Sequence, residues 1–291
     1  MAITIWSGLV LGSIYALVAT GFTISMLPTG VFNFAQGAIV VAGAFLSYQF
    51  LSVSNLGGVL ALVLAALIGM GLGAACELVA IRPLTWARGT VGDAALVTTV
   101  GASTLIIGLL EIKWGALALL VPFAGPGGYL HFLGVVARPV EVFVFAAAII
   151  SAIAFEVLFR RTRPGQACLA VAEDRDAAML RGVNVSRLSL IAFALAGAFG
   201  AAAGVIIGPI TYALPTLGAT LALSGFVALA LGGEGSFVGG LLGGLIVGVV
   251  ESLATRYIGA SYGDLAVVVL LLTTLALRPK GLAGFTKARS V

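Results

Sequence analysis

The first 76 residues of the chain contain no Asp, Glu, Lys or Arg, and the first charged side chain is that of Glu77. Over all 291 residues only 9% are charged while 61% are hydrophobic, and the mean hydropathy is +1.19. A soluble domain carries roughly a quarter charged residues. Lipid rather than water is therefore the solvent for most of this chain, and the sequence predicts a multi-pass membrane protein.

Nine apolar segments are separated by turn-forming residues or by charge. A bilayer core of about 30 Å needs roughly 20 apolar residues per helix. The stretch from 217 to 254 is too long for one crossing, so "GGEGS" at 232–236 is interpreted as a turn within it. The sequence predicts an all-α polytopic transmembrane helix bundle of about eight to nine spans, in a single domain over 1–291. The predicted spans are 3–27, 31–53, 59–81, 94–112, 140–159, 188–211, 217–231, 237–254 and 265–277, with a long loop at 113–138.

The basic residues are distributed unevenly over the loops. If the 82–93 loop, the 160–187 loop and the tail after 277 are all cytoplasmic, twelve of the fifteen Lys and Arg residues lie inside. Cytoplasmic loops carry the excess of basic residues in membrane proteins. We therefore expect nine crossings with the amino terminus outside and the tail inside. A re-entrant 217–231 would force the tail outside and is disfavoured.

Glycines recur at four-residue spacing within the spans. Such rows let helix backbones approach closely in lipid, where no hydrophobic force drives helices together. Packing within the chain is the favoured interpretation, and a subunit interface is the alternative. The rows are Gly8 with Gly12, Gly69 with Gly73, Gly200 with Gly204 and Gly208, and Gly240 with Gly244 and Gly248.

The passage "EDRDAAMLR" at 173–181 carries five charges in nine residues. Its composition predicts one helix from Gln166 to Arg181, ended by Gly182, within a loop spanning 164–187. No opposite charges in it lie at i,i+3 or i,i+4, so ion pairs of its own do not stabilise this helix. Its charges therefore face water or a partner protein, and a merely solvated loop is the alternative.

A second polar group follows the turn at Pro28–Gly30, in "PTGVFNFAQGA". Asn33 and Gln36 are expected to share a helix face at the start of the second span, where an amide is costly unless it is bonded or lines water. A helix cap with interhelix hydrogen bonds and a lining of the translocation path are both open. The predicted path residues are Asn33, Gln36, Gly37, Thr98, Thr99, Ser103 and Thr104, the last four with their hydroxyls along one side of the fourth span.

Five segments, taken together and in order, are similar to one known family. They are "GLVLGSIYALVATGFT" at 8–23, "VFNFAQGA" at 31–38, "LVTTVGAS" at 96–103, "AEDRDAAMLRGVNVSRLSLIAFALAGAFGAAAG" at 172–204 and "LGGEGSFVGGLLGG" at 231–244. The chain resembles, over nearly its whole length, the permease subunit of the branched-chain (hydrophobic) amino acid ABC importer family.

The resemblance implies a subunit that translocates branched-chain or related small hydrophobic amino acids across the bacterial inner membrane. It implies a dimer with a second related permease or with a copy of itself, cytoplasmic ATPases that carry ATP and Mg, and a periplasmic protein that delivers the small-molecule substrate. It also implies a cytoplasmic coupling helix that docks into a groove on the ATPase. The implied docking residues are Glu173, Asp174, Arg175, Ala177, Ala178, Leu180, Arg181 and Gly182.

Residue types alone exclude several kinds of site. No G-x-x-x-x-G-K-[ST] motif occurs, so ATP hydrolysis by a P-loop must come from a partner chain. His131 is the single histidine, so no His-based metal site is expected, and no catalytic constellation marks an enzyme. No disulfide is expected between Cys76 and Cys168, which lie at the predicted cytoplasmic side. The sequence pI of about 9.3 reflects basic span flanks facing membrane lipid, and nucleic acid is not an expected partner.

Two other transport mechanisms compete with this interpretation. A proton- or sodium-coupled carrier normally places acids near mid-bilayer, whereas Glu234 and Glu251 are expected to be solvated near span ends. A partner-independent channel would show its pore motifs in two matching halves, and no such duplication is visible. Relatives commonly carry His and Glu where this chain has Gln36 and Ala38, so urea, short amides or small carboxylates are alternative substrates.

Overall fold

The computed structural model describes residues 1–86, 91–125, 128–132, 135–277 and 281–282. Helices dominate these ranges, and two short antiparallel strands pair in one hairpin within the loop predicted for 113–138. The helical class predicted from the sequence is confirmed. The elements are α1 Ala2–Thr29, α2 Ala35–Ser47, α3 Gly58–Cys76, α4 Arg82–Trp86, α5 Val91–Trp114, β1 Leu130–Phe132, β2 Val135–Ala137, α6 Pro139–Arg161, α7 Arg163–Glu173, α8 Arg175–Leu180, α9 Val185–Thr211, α10 Leu217–Gly232, α11 Phe237–Tyr257 and α12 Gly263–Leu277.

Eight helical segments in the described ranges are long and apolar enough to cross a membrane. Each overlaps a span predicted from the sequence, so the multi-pass prediction is confirmed. The segments are Ala2–Thr29, Ala35–Val53, Gly58–Leu84, Ala94–Trp114, Pro139–Arg161, Val185–Thr211, Phe237–Tyr257 and Ala260–Leu277.

The ninth predicted span forms α10, a helix of 16 residues. At 1.5 Å per residue it is about 24 Å long, which is shorter than a typical bilayer core. Its crossing, and with it the orientation of the chain, stays a prediction. Several basic residues that support this orientation lie outside the described ranges, namely Arg88, Arg278, Lys280, Lys287 and Arg289.

The chain forms two compact units. Unit 1 comprises Met1–Thr23, Phe123–Glu156 and Leu223–Phe285, and unit 2 comprises Ile24–Pro122, Val157–Ala222 and Thr286–Val291. All residues predicted for docking and for the translocation path belong to unit 2. A single domain over 1–291 stays a prediction.

The core of unit 2 lies where α9 packs against α2 and α3. A Cβ atom at Gly69 or Gly73 of α3 would collide with the carbonyl oxygen of Gly197 or Phe193 in α9, respectively. On α2, a Cβ at Gly43 would collide with the α9 backbone in the same way. Only glycine lets these backbones come so close, and in lipid such contact is a main source of helix association.

Unit 1 is held together by the same kind of close backbone contact at glycine. A Cβ at Gly12 of α1 would lie 2.7 Å from the Cα atom of Leu245 on α11, and one at Gly248 would collide with the backbone of Gly12. A Cβ at Gly8 would lie 2.7 Å from the Cα atom of Val249. Packing within the chain, the favoured interpretation of the glycine rows, is therefore confirmed for these positions.

Polar side chains complete the helix ends of unit 1. The Glu156 carboxylate accepts a hydrogen bond from the backbone N–H of Phe237 at 3.0 Å, where α11 begins. Glu141 accepts from Trp6 Nε1 at 2.9 Å and from Arg138 Nε at 2.8 Å. The first N–H groups of a helix have no partner within the helix, and lipid offers none, so these acids satisfy donors that would otherwise be costly to bury.

Two π-helical turns interrupt the long helices of unit 2. One, Tyr48–Val53, extends α2, and the other, Glu77–Ile81, joins α3 to α4. Turns of this kind are frequent at functional sites because they redirect side chains out of the regular helical register. The second turn begins with Glu77, the first charged residue of the chain, which is only 2% exposed.

We expect Gly73→Ala to destabilise the protein, because its Cβ would collide with the Phe193 carbonyl oxygen and the two helices would have to separate. The expected cost is about 1–3 kcal/mol, as for other overpacked cores. A lower thermal transition of the purified protein in detergent would show it.

The matched control is Gly71→Ala on the same helix, where an added Cβ meets open space. This change should be neutral or slightly stabilising, because alanine has the higher helix propensity. Equal transitions for the two variants would contradict this account of the packing.

Candidate functional site

The charged passage forms two helices rather than one. α7 ends at Glu173, Asp174 is extended with φ −150° and ψ 106°, and α8 begins at Arg175. The Asp174 carboxylate accepts a hydrogen bond from the Ala177 N–H at 3.0 Å, which makes Asp174 the N-cap of α8. The predicted continuous helix from Gln166 to Arg181 is therefore wrong. The aspartate side chain competes for the backbone and starts a new helix.

Gly182 ends α8, as predicted. Its φ of +87° lies in the left-handed region that favours glycine. The Gly182 N–H donates to the Met179 carbonyl at 2.9 Å, and the Val183 N–H donates to the Ala178 carbonyl at 3.1 Å. This pair of bonds is the Schellman motif, which closes a helix by satisfying its last carbonyl groups.

One face of the α7–α8 segment is anchored on unit 2 and the other is exposed. Cys168, Val171 and Ala178 are at most 5% exposed. Leu180 is 90% exposed although it is apolar. Ala178 therefore faces the protein, while Ala177 is partly buried. The remaining predicted docking residues are exposed, namely Glu173, Asp174, Arg175, Leu180, Arg181 and Gly182.

Cys76 and Cys168 are both free and buried. Burial raises the pKa of the Cys168 thiol to about 11. At neutral pH this thiol is therefore protonated and unreactive, and it serves as a small apolar contact under α7.

The connection between α1 and α2 is not helical, and Gly30 in it has a φ of +68°. Asn33 lies in this connection, before α2 begins at Ala35, so the prediction that Asn33 and Gln36 share a helix face is wrong. Asn33 Oδ1 accepts a hydrogen bond from the Ala35 N–H at 3.2 Å, a local turn that asparagine favours. The side chain is fully buried, and its Nδ2 has no hydrogen-bond partner in the part of the chain that the structure describes.

Gln36 lies in the first turn of α2 and is also fully buried. Its Nε2 donates to the Ala196 carbonyl oxygen of α9 at 3.0 Å. Its Oε1 has no hydrogen-bond partner among the described residues. The interhelix bond expected for these amides is present at Gln36, but neither amide caps α2, whose N-cap residue is Phe34 without a side-chain cap hydrogen bond. The role of both amides in the translocation path stays a prediction.

Gly37, the next residue of α2, is a packing contact. A Cβ there would collide with the Gly218 carbonyl oxygen at the start of α10 and lie 2.9 Å from the Ala222 Cβ. The glycine thus holds α2 and α10 at close distance, within one turn of both amides.

The sequence predicted that the hydroxyl residues of α5 lie along one side of the helix, and they do not. Thr99 is fully buried, and its hydroxyl lies 3.5 Å from the Phe32 carbonyl oxygen beside the α1–α2 connection. Thr98 bonds to a carbonyl oxygen outside its own helix, and Ser103 is partly buried. Thr104 is exposed and donates to the Val100 carbonyl oxygen of its own helix, so it does not share the side of the buried Thr99. The role of these four residues in the translocation path stays a prediction.

A cavity of about 40 Å³ lies beside the α1–α2 connection. It has room for two or three water molecules, at roughly 15 Å³ each. Four elements of unit 2 line it: the end of α1 with the connection, the π turn Glu77–Ile81, the start of α9, and α8. The lining residues are Pro28, Thr29, Val31, Glu77, Ile81, Arg175, Val185, Ser186 and Ser189. The cavity thus brings one predicted docking residue, Arg175, next to the chain that leads to the buried amides.

No role was predicted from the sequence for Glu77, the one acidic residue in this lining. A signal for it was present, because this carboxylate follows 76 uncharged residues and falls inside a predicted span. Intramembrane carboxylates are rare and are often functional. Its burial was not predictable, since it depends on the π turn and on α9.

Glu251 in unit 1 is only partly exposed, so the prediction that it is solvated is wrong. Its Oε2 is buried without a hydrogen-bond partner in the described residues. Gly263 at the start of α12 approaches the Glu251 side chain. Glu234 is exposed, as expected.

Comparisons with known proteins give a consistent result. The family model described as "Branched-chain amino acid transport system / permease component" matches residues 4–277. The chain is 28% identical over 299 residues to the high-affinity branched-chain amino acid transport system permease protein LivH of Escherichia coli (strain K12), covering 98% of this chain and 96% of LivH. It is 30% identical over 299 residues to the corresponding protein BraD of Pseudomonas aeruginosa, with the same coverage of 98% and 96%. The ribose import permease protein RbsC of Escherichia coli is 27% identical over 275 residues, covering 90% of this chain and 82% of RbsC.

We expect Gly200→Ala to lower stability, because its Cβ would lie 2.5 Å from Gln36 Nε2. The double variant Gln36→Ala with Gly200→Ala should recover part of this loss, since the nearest contact that remains is Ile39 Cγ2 at 3.4 Å. Thermal transitions of the four proteins in detergent give the coupling energy, which we expect at about 0.5–3 kcal/mol. Strictly additive losses would show that Gln36 does not occupy the space beside Gly200.

Proposed function

The chain belongs to the family of permease components of branched-chain amino acid transport systems, and from this premise we propose that it is the membrane subunit of an ATP-driven ABC importer. Its cargo is a branched-chain or related small hydrophobic amino acid. The observation that carries the proposal is the α7–α8 segment, which exposes a concentrated set of charges and one apolar side chain in a chain with only 9% charged residues. The subunit is a transport component rather than an enzyme.

The exposed face of α7–α8 has the composition of a docking surface. Leu180 offers an apolar anchor at 90% exposure, and Asp174, Arg175 and Arg181 surround it with charge. Buried apolar anchors carry most of the energy at protein interfaces, while charged groups at the rim contribute mainly to specificity. We assign this face to a cytoplasmic ATPase that binds ATP and Mg, because the chain itself has no P-loop.

The path for the cargo passes the α1–α2 connection. Backbone partners fix the orientation of both buried amides, which leaves a donor on Asn33 Nδ2 and an acceptor on Gln36 Oε1. An amino acid presents a carboxylate, which accepts, and an ammonium group, which donates, so its two ends match this pair. Transporters place such polar groups where a broken helix borders a cavity. Thr99 lies beside the same connection and completes the polar lining.

The remaining partners follow from the proposed mechanism. A second related permease, or a copy of this chain, forms the other half of the path, and a periplasmic protein delivers the amino acid. The predicted orientation assigns the loop between α5 and α6, with its hairpin β1–β2, to the periplasmic side, and this loop is our candidate surface for the delivering protein.

We expect Leu180→Asp to prevent the ATPase from co-purifying with the permease, because it replaces the exposed apolar anchor with a charge. Folding should be unaffected, since the side chain is 90% exposed. The matched control is Leu120→Asp, which changes a leucine that is 73% exposed and lies outside α7–α8. Equal recovery of the ATPase with both variants would exclude α7–α8 as its docking surface.

For the cargo, we expect the complex with its ATPase and binding protein, reconstituted in liposomes, to accumulate leucine only when ATP is supplied. Isoleucine and valine should compete with leucine for uptake, and urea and ribose should not. ATP-dependent uptake of ribose or urea in place of leucine would keep the chain as an importer subunit and refute the proposed cargo. The comparison matters because Gln36 and Ala38 replace ionisable residues common in relatives, and because a ribose permease is also similar to this chain.

A further inference from the structure

Glu77 is a carboxylate in the interior of unit 2 that is incompletely compensated. The residue is 2% exposed, and its Oε2 has no hydrogen-bond partner in the described ranges. Ser189 of α9 lines the same cavity as this carboxylate. A buried carboxylate costs several kcal/mol unless charge and hydrogen bonds compensate it fully. One carboxylate oxygen of Glu77, Oε2, can therefore still accept a hydrogen bond.

Arg82, the cation that is ion-paired with Glu77, does not donate a hydrogen bond to this oxygen. Arg82 Nε lies 3.8 Å from Glu77 Oε2, which is an ion pair but is too long for a hydrogen bond. The Arg82 guanidinium instead donates from Nη2 to the Ser186 hydroxyl at 3.0 Å. Arg82 thus brings positive charge near Glu77 Oε2 without a hydrogen bond to that atom in the described residues.

A second guanidinium group, that of Arg175, belongs to a residue that lines the same cavity. Arg175, the first residue of α8, is exposed and lines the same cavity of about 40 Å³ as Glu77. A cavity of this size with polar walls holds two or three waters, which can bridge the two groups while they are apart. A metal cation is a poor occupant here, because Arg82 and Arg175 both bring positive charge to the site.

We propose that Glu77 is a positioning residue that receives the Arg175 guanidinium when the ATPase moves α8 during its cycle. The closed ion pair replaces bridging water by direct, charge-assisted hydrogen bonds to Oε2. The inference rests on the proposed docking of an ATPase on α7–α8.

Closure of this pair has a consequence for the path. Pro28, Thr29 and Val31 also line the cavity, and the chain continues from Val31 through Phe32 to Asn33. Drawing Arg175 onto Glu77 expels water and changes the shape of this wall. The movement of α8 is thereby transmitted to the connection that holds the buried amides, without any contact between the ATPase and the path.

The first test is Glu77→Gln in the complete complex. We expect the ATPase to co-purify normally, because Glu77 is too buried to touch a partner, while uptake per ATP hydrolysed falls by about tenfold, within the usual range of coupling between sites. The thermal transition should not fall, since a neutral amide removes a buried charge. Glu77→Asp, which keeps the carboxylate, should retain most of the uptake.

Two further variants separate the pair from other effects. In complexes that keep the ATPase bound, the double variant Glu77→Gln with Arg175→Gln should show the same uptake per ATP hydrolysed as Glu77→Gln alone, because the pair is already broken. Recovery of the ATPase with Arg175→Gln alone separates any loss of docking from this effect. Arg187→Gln, an exposed arginine of α9 outside the cavity, is the matched control and should transport normally. Normal coupling in Glu77→Gln, additive losses in the double variant, or a loss of uptake that tracks a lower thermal transition would each overturn the proposal.

The second test measures the movement directly. In a background with Cys76→Ala and Cys168→Ala, the pair Glu77→Cys and Arg175→Cys should crosslink about threefold more with ATP bound than without nucleotide, as expected for a shift in the population of two states. Equal yields in both conditions, with the ATPase still attached, would refute the movement while leaving the proposed docking intact. If the ATPase is lost only from the Leu180→Asp variant, that result supports the proposed docking surface. The Glu77–Arg175 pair is then judged from the crosslinking yields alone.

Discussion

Close backbone contact at glycine is the interaction on which both units depend, because lipid chains are as apolar as leucine and provide no hydrophobic force between helices. What holds one helix to another is then van der Waals contact and the hydrogen bonds it permits. In unit 2, Gly197 of α9 meets Gly69 and Gly73 of α3, and in unit 1 Gly248 of α11 meets Gly12 of α1. With α9 fixed in this way, its first turn is held at the wall of the cavity and its middle beside Gln36. The position of the site is therefore set by backbone packing that involves no polar side chain.

Three polar residues of unit 2 occur where the backbone departs from the regular helix. Asn33 lies in the α1–α2 connection, Glu77 opens a π turn, and Asp174 separates α7 from α8. Such departures leave backbone N–H groups without an intrahelical partner, and a membrane offers no water to satisfy them. Asn33 and Asp174 meet this need by accepting from N–H groups two and three residues further on. Irregular backbone and polar side chains thus require each other, and together they define where a small cavity can be polar.

Hydropathy was sufficient to predict the spans, because the solvent around each segment is set by its composition over about 20 residues. The glycine rows and the stop at Gly182 were also predictable, since each is a local rule of backbone geometry. The detailed structure of the site was not predictable from the sequence. The break at Asp174 needed knowledge of a cap that competes with a good helix-forming sequence, and the partial burial of Glu251 depends on helices that are distant in sequence. For the same reason the sequence did not distinguish Ala178, which faces the protein, from Leu180, which faces outward.

The length of α8 explains how one segment can serve both an exterior and an interior surface. An isolated helix of six residues is unstable, because helices shorter than about 12 residues are marginal in water. α8 exists because Asp174 caps its start, Gly182 closes its end and Ala178 is buried beneath it. It is therefore a short helix between an extended residue, Asp174, and a left-handed one, Gly182, rather than part of a long span. Its first residue, Arg175, lines the cavity, and its last, Leu180, is exposed. In the proposed mechanism a displacement of the exposed end reaches the cavity, because the helix is only six residues long.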